Sequence, residues 1–330
     1  MSRHRIAPQH PVATLLVVGW VATGSFLMTA AGDAPAVPRS EALTASPQPR
    51  PAAVPLPSPR TMGALRSGEI GRESGTRSEP EPEPEPTVDP DEALAARLAP
   101  VVKSTSVSLS VAVLDPEDGR TASYGVQAGT TYDTASIVKV DILVALLLHA
   151  QDEGRRLTAA ERAYATSMIR VSDNASADAL WSAIGGAPGL DAANRRLGLT
   201  STTAGGDGLW GLTQTTASDQ LVLLSAVFGD DSASDLSAAS RAYVRELMAG
   251  IAADQDWGVS AAGPATGLKN GWLPRTATGL WDINSIGRIT VDGHGYLLAV
   301  LSRGSASKEA GIALVEKVAG TAVPALGKPA

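Results

Sequence analysis

The chain has 330 residues, of which 44% are hydrophobic, and a formal net charge of −7 at neutral pH. It contains no cysteine, which excludes disulfide bonds, thiol catalysis, cysteine-ligated zinc and a lipid anchor attached through cysteine. The basic residues are dispersed rather than clustered, so we expect no nucleic-acid partner.

The first 36 residues have the pattern of an export signal. Arg3 and Arg5 precede an uncharged segment, residues 11–32, and Ala34-Pro35-Ala36 has the A-x-A form of a cleavage site. If it is retained, the uncharged segment is also long enough to span a bilayer, for which about 20 apolar residues suffice. We therefore predict that residues 1–36 are a signal peptide or a membrane anchor, with residues 11–32 as the tether. In either case the protein is expected to be extracytoplasmic.

Residues 37–90 read as a proline-rich disordered linker. The stretch from Gly32 to Pro90 holds 13 of the 22 prolines, and Glu79 to Pro86 is a strict Glu-Pro repeat. Such a segment has too few apolar residues to offset its ordering entropy, and the repeat favours extended polyproline II geometry. The linker would act as a semi-rigid spacer ahead of residues 91–330, which are numerous enough for one sizeable hydrophobic core.

The globular part begins and ends with strand patterns and has helical patterns between them. The strands are predicted over 107–114, 121–125, 266–273, 281–291 and 296–303. The helices are predicted over 137–148, from 158 towards 170, and over 175–184, 219–228, 237–252 and 307–319. This order predicts an α/β (α+β) fold, with one sheet built from both chain ends and a helical insertion.

Three polar motifs interrupt these elements in one order: Ser136-Ile137-Val138-Lys139, Ser172-Asp173-Asn174 and Lys269-Asn270-Gly271. Together they resemble the S-x-x-K, S-D-N and K-T-G signature of class A β-lactamases and penicillin-binding proteins. The resemblance covers essentially residues 100–322. It implies a β-lactamase/transpeptidase-like fold, with an antiparallel sheet and an inserted helical subdomain, and a serine hydrolase that forms an acyl-enzyme.

The residues themselves support a nucleophile and a base in the first motif. Ser136 precedes an apolar helix, whose exposed N–H groups favour developing negative charge, and Lys139 follows one turn later. Burial among apolar residues would lower the pKa of Lys139 and make it a base for Ser136. The alternatives are an N-cap serine and a paired structural lysine. A second S-x-x-K match, from Ser305 to Lys308, lies in a polar run and is predicted to be a solvated face.

The resemblance assigns roles in the other two motifs. It implies that Ser172 relays protons to the leaving group and that Asn174 orients the lysine and the substrate; a plain inter-helix turn is the alternative, and Asp173 is predicted to cap it. Lys269 and Asn270 are predicted to hold a substrate carboxylate, while Gly271 allows a close backbone approach. The N–H groups of Trp272 and Ser136 would form an oxyanion hole. An exposed strand lysine is the alternative for Lys269.

The chain also departs from the class A pattern. Asn270 replaces the usual Thr or Ser, and no glutamate occurs between Ser172 and Arg245, where class A enzymes keep the deacylating one. Ser136 and Ser172 are only 36 positions apart, and residues 198–216 are short and glycine-rich, which predicts an open cleft. Asp207 could replace the glutamate, although an exposed turn aspartate is the simpler interpretation.

The sequence gives no reason to expect a cofactor or a metal. His4 and His10 lie in the export segment, His149 ends an apolar helix, and His294 lies at a hairpin tip; no pair has metal-ligand spacing. We expect a monomer that acts on a small β-lactam or on a peptidoglycan stem peptide at the cell wall. The alternatives are a D,D-peptidase, a non-hydrolytic sensor of β-lactams or wall fragments, and a relative that has lost catalysis.

Overall fold

The computed structural model describes residues 88–127, 129–229 and 234–327. The predicted signal peptide or anchor, the tether at 11–32 and all but the last residues of the predicted linker lie outside these ranges. Within them, no helix is long and apolar enough to cross a membrane.

The described residues form eight helices and seven strands. The helices are α1 Pro90–Val102, α2 Val138–Asp152, α3 Ala159–Arg170, α4 Asn174–Ala183, α5 Gly186–Leu197, α6 Ala217–Phe228, α7 Ala238–Ala249 and α8 Lys308–Ala322. The strands are β1 Ser108–Leu114, β2 Thr121–Tyr124, β3 Tyr132–Asp133, β4 Gln214–Thr215, β5 Ala265–Arg275, β6 Leu280–Val291 and β7 His294–Ser305.

Five strands form one antiparallel sheet in the order β2-β1-β7-β6-β5, and β3 pairs with β4 in a separate two-stranded ribbon. Strands from the two chain ends meet where Val111 of β1 pairs with Val300 of β7. The helices α2 to α7 are inserted between these strands in the sequence. This confirms the predicted fold class, and it leaves β5 as the sheet edge that borders the helical subdomain.

Both faces of the sheet are covered. Along β7, Leu297, Ala299 and Leu301 belong to the core shared with the helical subdomain, whereas Leu298 and Val300 belong to the core under α1 and α8. This alternation follows from the two-residue period of a strand. Each fully buried leucine or valine contributes about 2 kcal/mol relative to exposure.

Helix α2 is the centre of the helical subdomain. It is buried on nearly all sides and contacts α3, α4, α5 and α7, which explains why its sequence is apolar almost throughout. The neighbouring helices α3 and α4 have capped N-termini. Thr158 and Glu161 form the predicted capping box of α3, and Asp173 caps α4.

Two helices were not anticipated from the sequence. Helix α1 packs against β2 and α8, where Leu94 and Leu98 are fully buried. Helix α5 begins at Gly186, directly after Gly185; both glycines adopt positive φ (66° and 82°), which turns the chain into a new helix. A pair of glycines therefore marks a junction between helices here rather than the start of a long loop.

Candidate active site

Ser136 lies in the 3₁₀ turn Ala135–Ile137 that leads directly into α2. The turn is held from two sides: the Thr134 N–H donates to Thr213 O at 2.8 Å, and the Asn284 amide donates to Thr134 O at 3.0 Å. Ala135 has φ of 48°, an uncommon conformation for a residue with a Cβ atom. Ser136 is half-buried, and its hydroxyl makes no hydrogen bond with any residue that the structure describes.

The edge strand β5 lies against this turn at Gly271. A Cβ atom at Gly271 would stand 2.7 Å from Thr134 O and 2.8 Å from Ser136 N, closer than such atoms approach. Only glycine therefore allows this close backbone approach, as the sequence predicts. The segment that approaches Gly271 is the backbone of the turn that carries Ser136. The contact places the part of β5 that carries Trp272, the next residue, against the turn that carries Ser136.

Lys139 is fully buried, and its ammonium is bonded on three sides. Nζ donates to Ser172 O at 2.6 Å, to Ser172 Oγ at 3.2 Å and to Asn174 Oδ1 at 2.7 Å. Burial lowers the pKa of Lys139 from its ordinary value of 10.5 to about 8, and the charges of Asp173 and Asp178 oppose this only in part. The lysine is thus poised between its charged and amine forms near neutral pH.

Ser172 occupies the short break between α3 and α4 with φ of 57°. Its hydroxyl lies between two lysines, 3.2 Å from Lys139 Nζ and 3.0 Å from Lys269 Nζ. Asp173, in contrast, accepts from Ser176 N at 2.7 Å and caps α4, as predicted. The structure therefore brings Ser172 and Asn174 into contact with Lys139 and sets Asp173 aside as a structural residue.

Lys269 on β5 is 1% exposed, and its Nζ donates to Ser172 Oγ and to Asn270 O. Burial, with a further contribution from the charge of Lys139, lowers the pKa of Lys269 well below its ordinary range. No carboxylate pairs with this ammonium among the described residues. It is therefore not the exposed strand lysine that the alternative interpretation proposed.

Asn270 departs from its predicted role. Its amide nitrogen donates to Gln255 O at 2.7 Å and to Trp257 O at 3.0 Å, and the residue is 1% exposed. Consecutive strand residues face opposite sides of the sheet, so Asn270 points away from the side chain of Lys269. Both amide donors are used inside the protein, which corrects the prediction that Asn270 holds a substrate carboxylate.

The side chain of Trp272 packs on the same side as Asn270. Its ring centroid lies 6.1 Å from that of Trp257, and the ammonium of Lys308 lies 4.0 Å over it. Lys308 is half-buried, which corrects the prediction of a freely solvated face. Ser305, its partner in the second S-x-x-K match, has a buried hydroxyl without a hydrogen-bond partner among the described residues.

Two residues beside Lys139 were missed from the sequence. The ring of Trp210 lies 4.9 Å from Lys139 Nζ, and its indole N–H donates to Asp178 Oδ1 at 2.7 Å. Trp210 lies in the short 3₁₀ turn Trp210–Leu212, within the glycine-rich stretch. In the sequence, Trp210 stands out as a lone tryptophan among glycines, and Asp178 follows Asn174 by one helical turn.

Among the described residues, the remaining candidates make no hydrogen bond or ion pair with this cluster. Asp207 is exposed, has φ of 51° and makes no hydrogen bond with a described residue. His294 Nε2 is 2.8 Å from Asp115 Oδ2 and its Nδ1 is 3.5 Å from Glu117, so both ring nitrogens face carboxylates rather than a serine. The described residues contain no group of three or more potential metal ligands.

Comparisons with solved structures agree with this architecture. A class A β-lactamase from Bacteroides cellulosilyticus DSM 14838 has a TM-score of 0.62 at 18% identity, covering 73% of this chain and 99% of that one. The TLA-3 extended-spectrum β-lactamase gives 0.64 at 18% identity, covering 72% and 100%. A mutant class A β-lactamase of the last common ancestor of Gram-negative bacteria gives 0.58 at 25% identity, covering 70% and 98%.

Curated relatives match over a shorter range. The Mycobacterium bovis and Mycobacterium tuberculosis proteins named "Putative lipoprotein LppW" are 38% identical over 113 residues, which are 34% of this chain. The chain thus aligns with only 35% of the length of these relatives.

A family model extends the match over more than half of the chain. The model described as the β-lactamase enzyme family, Beta-lactamase2, matches residues 148–326, a range that includes Ser172, Asn174 and Lys269. The same fold surrounds Ser136 and Lys139, which precede the matched range. The chain therefore belongs to the β-lactamase enzyme family.

Proposed function

We propose that the protein is an exported serine hydrolase that forms an acyl-enzyme on Ser136 with β-lactams or related amides and esters. The observation that carries this proposal is the position of the Ser172 hydroxyl between the ammonium groups of Lys139 and Lys269. A hydroxyl so placed can pass a proton between a lysine and a leaving group. Neither lysine is neutralised by a carboxylate in direct contact.

Acylation begins with attack of Ser136 Oγ on the substrate carbonyl carbon. An ammonium has no lone pair, so Lys139 can accept the Ser136 proton only in its amine form. Its lowered pKa makes that form available near pH 8. As the carbon–nitrogen bond breaks, the leaving amine takes the Ser172 hydroxyl proton, and Lys139 returns a proton to Ser172 Oγ.

Two backbone groups are proposed to stabilise the developing oxyanion. The N–H groups of Ser136 and Trp272 lie on the two segments that Gly271 brings together. Preorganised donors of this kind are worth about 3 kcal/mol each in acyl transfer. A substrate carboxylate would be held by the Lys269 ammonium, without the side chain of Asn270.

A D,D-peptidase or penicillin-binding activity on peptidoglycan stem peptides is the alternative, and the absence of a glutamate between Ser172 and Arg245 favours it. Slow deacylation would give long-lived adducts, and one acylation per chain without turnover would indicate a sensor. The name of the mycobacterial relatives, which describes them as lipoproteins, supports an extracytoplasmic location. We propose residues 11–32 as a membrane tether, since the 330 residues contain no cysteine to carry a lipid.

The test is intact mass spectrometry of the protein during incubation with a fluorescent penicillin. We expect a stoichiometric adduct on the parent protein and none on the Ser136→Ala variant. An adduct that clears with product release indicates a β-lactamase, and one that persists indicates a penicillin-binding protein or sensor. No adduct with a penicillin, an ester or a peptidyl-D-alanine substrate would refute the hydrolase and favour a relative that has lost catalysis.

A further inference from the structure

Trp210 links a carboxylate to the candidate base. One face of its ring covers the Lys139 ammonium at 4.9 Å, and its indole N–H holds Asp178 Oδ1 at 2.7 Å. The indole N–H has a single donor, so it fixes one carboxylate oxygen and leaves the other. Asp178 is exposed, and its Oδ2 has no hydrogen-bond partner among the residues that the structure describes.

Helix α4 places Asp178 on the same face as Asn174. Residues four apart on a helix are neighbours along one side, and Asn174 Oδ1 already contacts Lys139 Nζ at 2.7 Å. The carboxylate of Asp178 therefore lies one turn beyond Asn174 and beside the ring that covers Lys139. In agreement with this position, the charge of Asp178 acts to raise the pKa of Lys139.

The other carboxylates near the motif do not meet the same conditions. Asp173 also acts on Lys139, but it accepts from Ser176 N and serves as the cap of α4. Asp207 is exposed in a turn and, among the described residues, makes no hydrogen bond or ion pair with the lysines or with Trp210. Of these three carboxylates, Asp178 is the one that has a carboxylate oxygen without a hydrogen-bond partner among the described residues and that lies on the same side of α4 as Asn174.

We propose that Asp178, positioned by Trp210, is the general base for hydrolysis of the Ser136 acyl-enzyme. The inference rests on the proposed function. In this step the free oxygen of Asp178 takes a proton from a water molecule, whose oxygen bonds to the acyl carbon. Lys139, left as the amine after acylation, first takes up a proton from solvent. It gives that proton to Ser136 Oγ as the bond between the acyl carbon and Ser136 Oγ breaks, and Asp178 releases the water proton to solvent. The product is the free carboxylic acid, and no further reactant is needed.

The test separates acylation from deacylation in the full chain with a fluorescent penicillin. Asp178→Asn should acylate within about threefold of the parent rate, while its adduct clears about 100-fold more slowly, as expected for loss of a general base. Asp178→Glu should recover part of the deacylation rate. Asp207→Asn, a matched exposed aspartate, should change neither rate. Retained acylation also shows that the variant site is folded.

Trp210→Phe keeps the ring over Lys139 and removes the N–H that holds Asp178. We expect deacylation to fall about tenfold with acylation unchanged, since positioning accounts for part of a general base's effect. A role for Trp210 in stability alone would lower both rates together.

Three outcomes overturn the role of Asp178. If Asp178→Asn clears its adduct at the parent rate, another group activates the water. If the parent adduct itself persists, the acyl-enzyme of the proposed function stands, but Asp178 is not a deacylation base. If the parent forms no adduct, both the proposed function and this inference are wrong.

Discussion

The Lys139 ammonium lies 2.7 Å from Asn174 Oδ1, a contact that joins the buried helix α2 to the first residue of α4. The two residues are separated by 35 positions in the sequence. This hydrogen bond fixes the orientation of a lysine that otherwise has only Ser172 atoms as acceptors. It also stabilises the charged form of Lys139 against the cost of burial.

The acylation rate should therefore follow the titration of Lys139. The amine form reacts, and its fraction rises tenfold per pH unit below the pKa of about 8. We expect the second-order acylation rate at pH 6 to be about 100-fold below a plateau reached above pH 8. Stopped-flow measurements from pH 5.5 to 9.5 test this, and a rate that stays flat over this range would rule out Lys139 as the base.

Replacing Asn174 by Ala should shift that profile. The ammonium loses one of its acceptors, so its charged form is less favourable and the pKa of Lys139 should fall further. The midpoint of the acylation profile should move to lower pH, while the plateau falls about tenfold because the lysine is less well oriented. Asp207→Asn is the control, with the profile of the parent. An unchanged midpoint in Asn174→Ala would contradict the role of this contact.

Gly271→Ala should disrupt the nucleophile turn. The added Cβ atom would meet Thr134 O at 2.7 Å and Ser136 N at 2.8 Å, so β5 and the turn must separate. Loss of one oxyanion donor costs about 100-fold in rate, and we expect at least that loss in acylation. Gly320→Ala on α8 is the matched control, since its Cβ would meet only Ala261 O at 3.7 Å. Parent-like acylation by Gly271→Ala would show that the approach is not required.

Asn270→Ala should mainly affect stability. The buried carbonyl groups of Gln255 and Trp257 would lose their donors, which costs about 1–3 kcal/mol for each unsatisfied group. Thermal unfolding should show a clear fall in Tm. The preference for a substrate with a free carboxylate over its methyl ester should not change, and a selective loss of that preference would restore Asn270 as a substrate ligand.

Asp141, buried within α2, should make stability depend on pH. Burial raises the pKa of its carboxyl group to about 8, whereas the unfolded value is about 3.9. Between these values the unfolded chain releases a proton that the folded protein keeps, so the free energy of unfolding falls with pH, by roughly 1.4 kcal/mol for each unit. Below the unfolded pKa, Asp141 does not change the free energy of unfolding with pH. Above the folded pKa, the free energy that has been lost stays constant.

Asp141→Asn removes that contribution. The difference in Tm between Asp141→Asn and the parent should therefore shift in favour of the variant as the pH rises from 4 to 8. Asp207→Asn should follow the parent at every pH. A constant difference between Asp141→Asn and the parent would mean that Asp141 does not hold a proton in the folded state.

The sequence predicted the parts of the site that depend on motif and helix spacing. Ser136 at the start of an apolar helix, Lys139 one turn later and Asn174 at the next helix start are local patterns, and the order of the motifs indicated that they meet. The predicted role of Asn270 does not fit the structure, because its amide nitrogen donates to the buried carbonyl groups of Gln255 and Trp257.

Other features depend on contacts that no local pattern encodes. Trp210 and Asp178 are 32 positions apart and meet only because the Trp210–Leu212 turn lies beside α4. Likewise, the half-buried position of Lys308 arises from the approach of α8 to Trp272. The sequence around Trp210 does not show that it contacts Asp178, and the polar run around Lys308 does not show that it contacts Trp272. Both contacts depend on how the elements pack.

Ser136 is proposed as the nucleophile, and peptide mapping of the penicillin adduct by tandem mass spectrometry tests this assignment. We predict one modified residue, Ser136, with the adduct lost in Ser136→Ala and retained in Ser305→Ala, the serine of the second S-x-x-K match. An adduct on Ser305 or Ser172, or one that survives Ser136→Ala, would contradict the account.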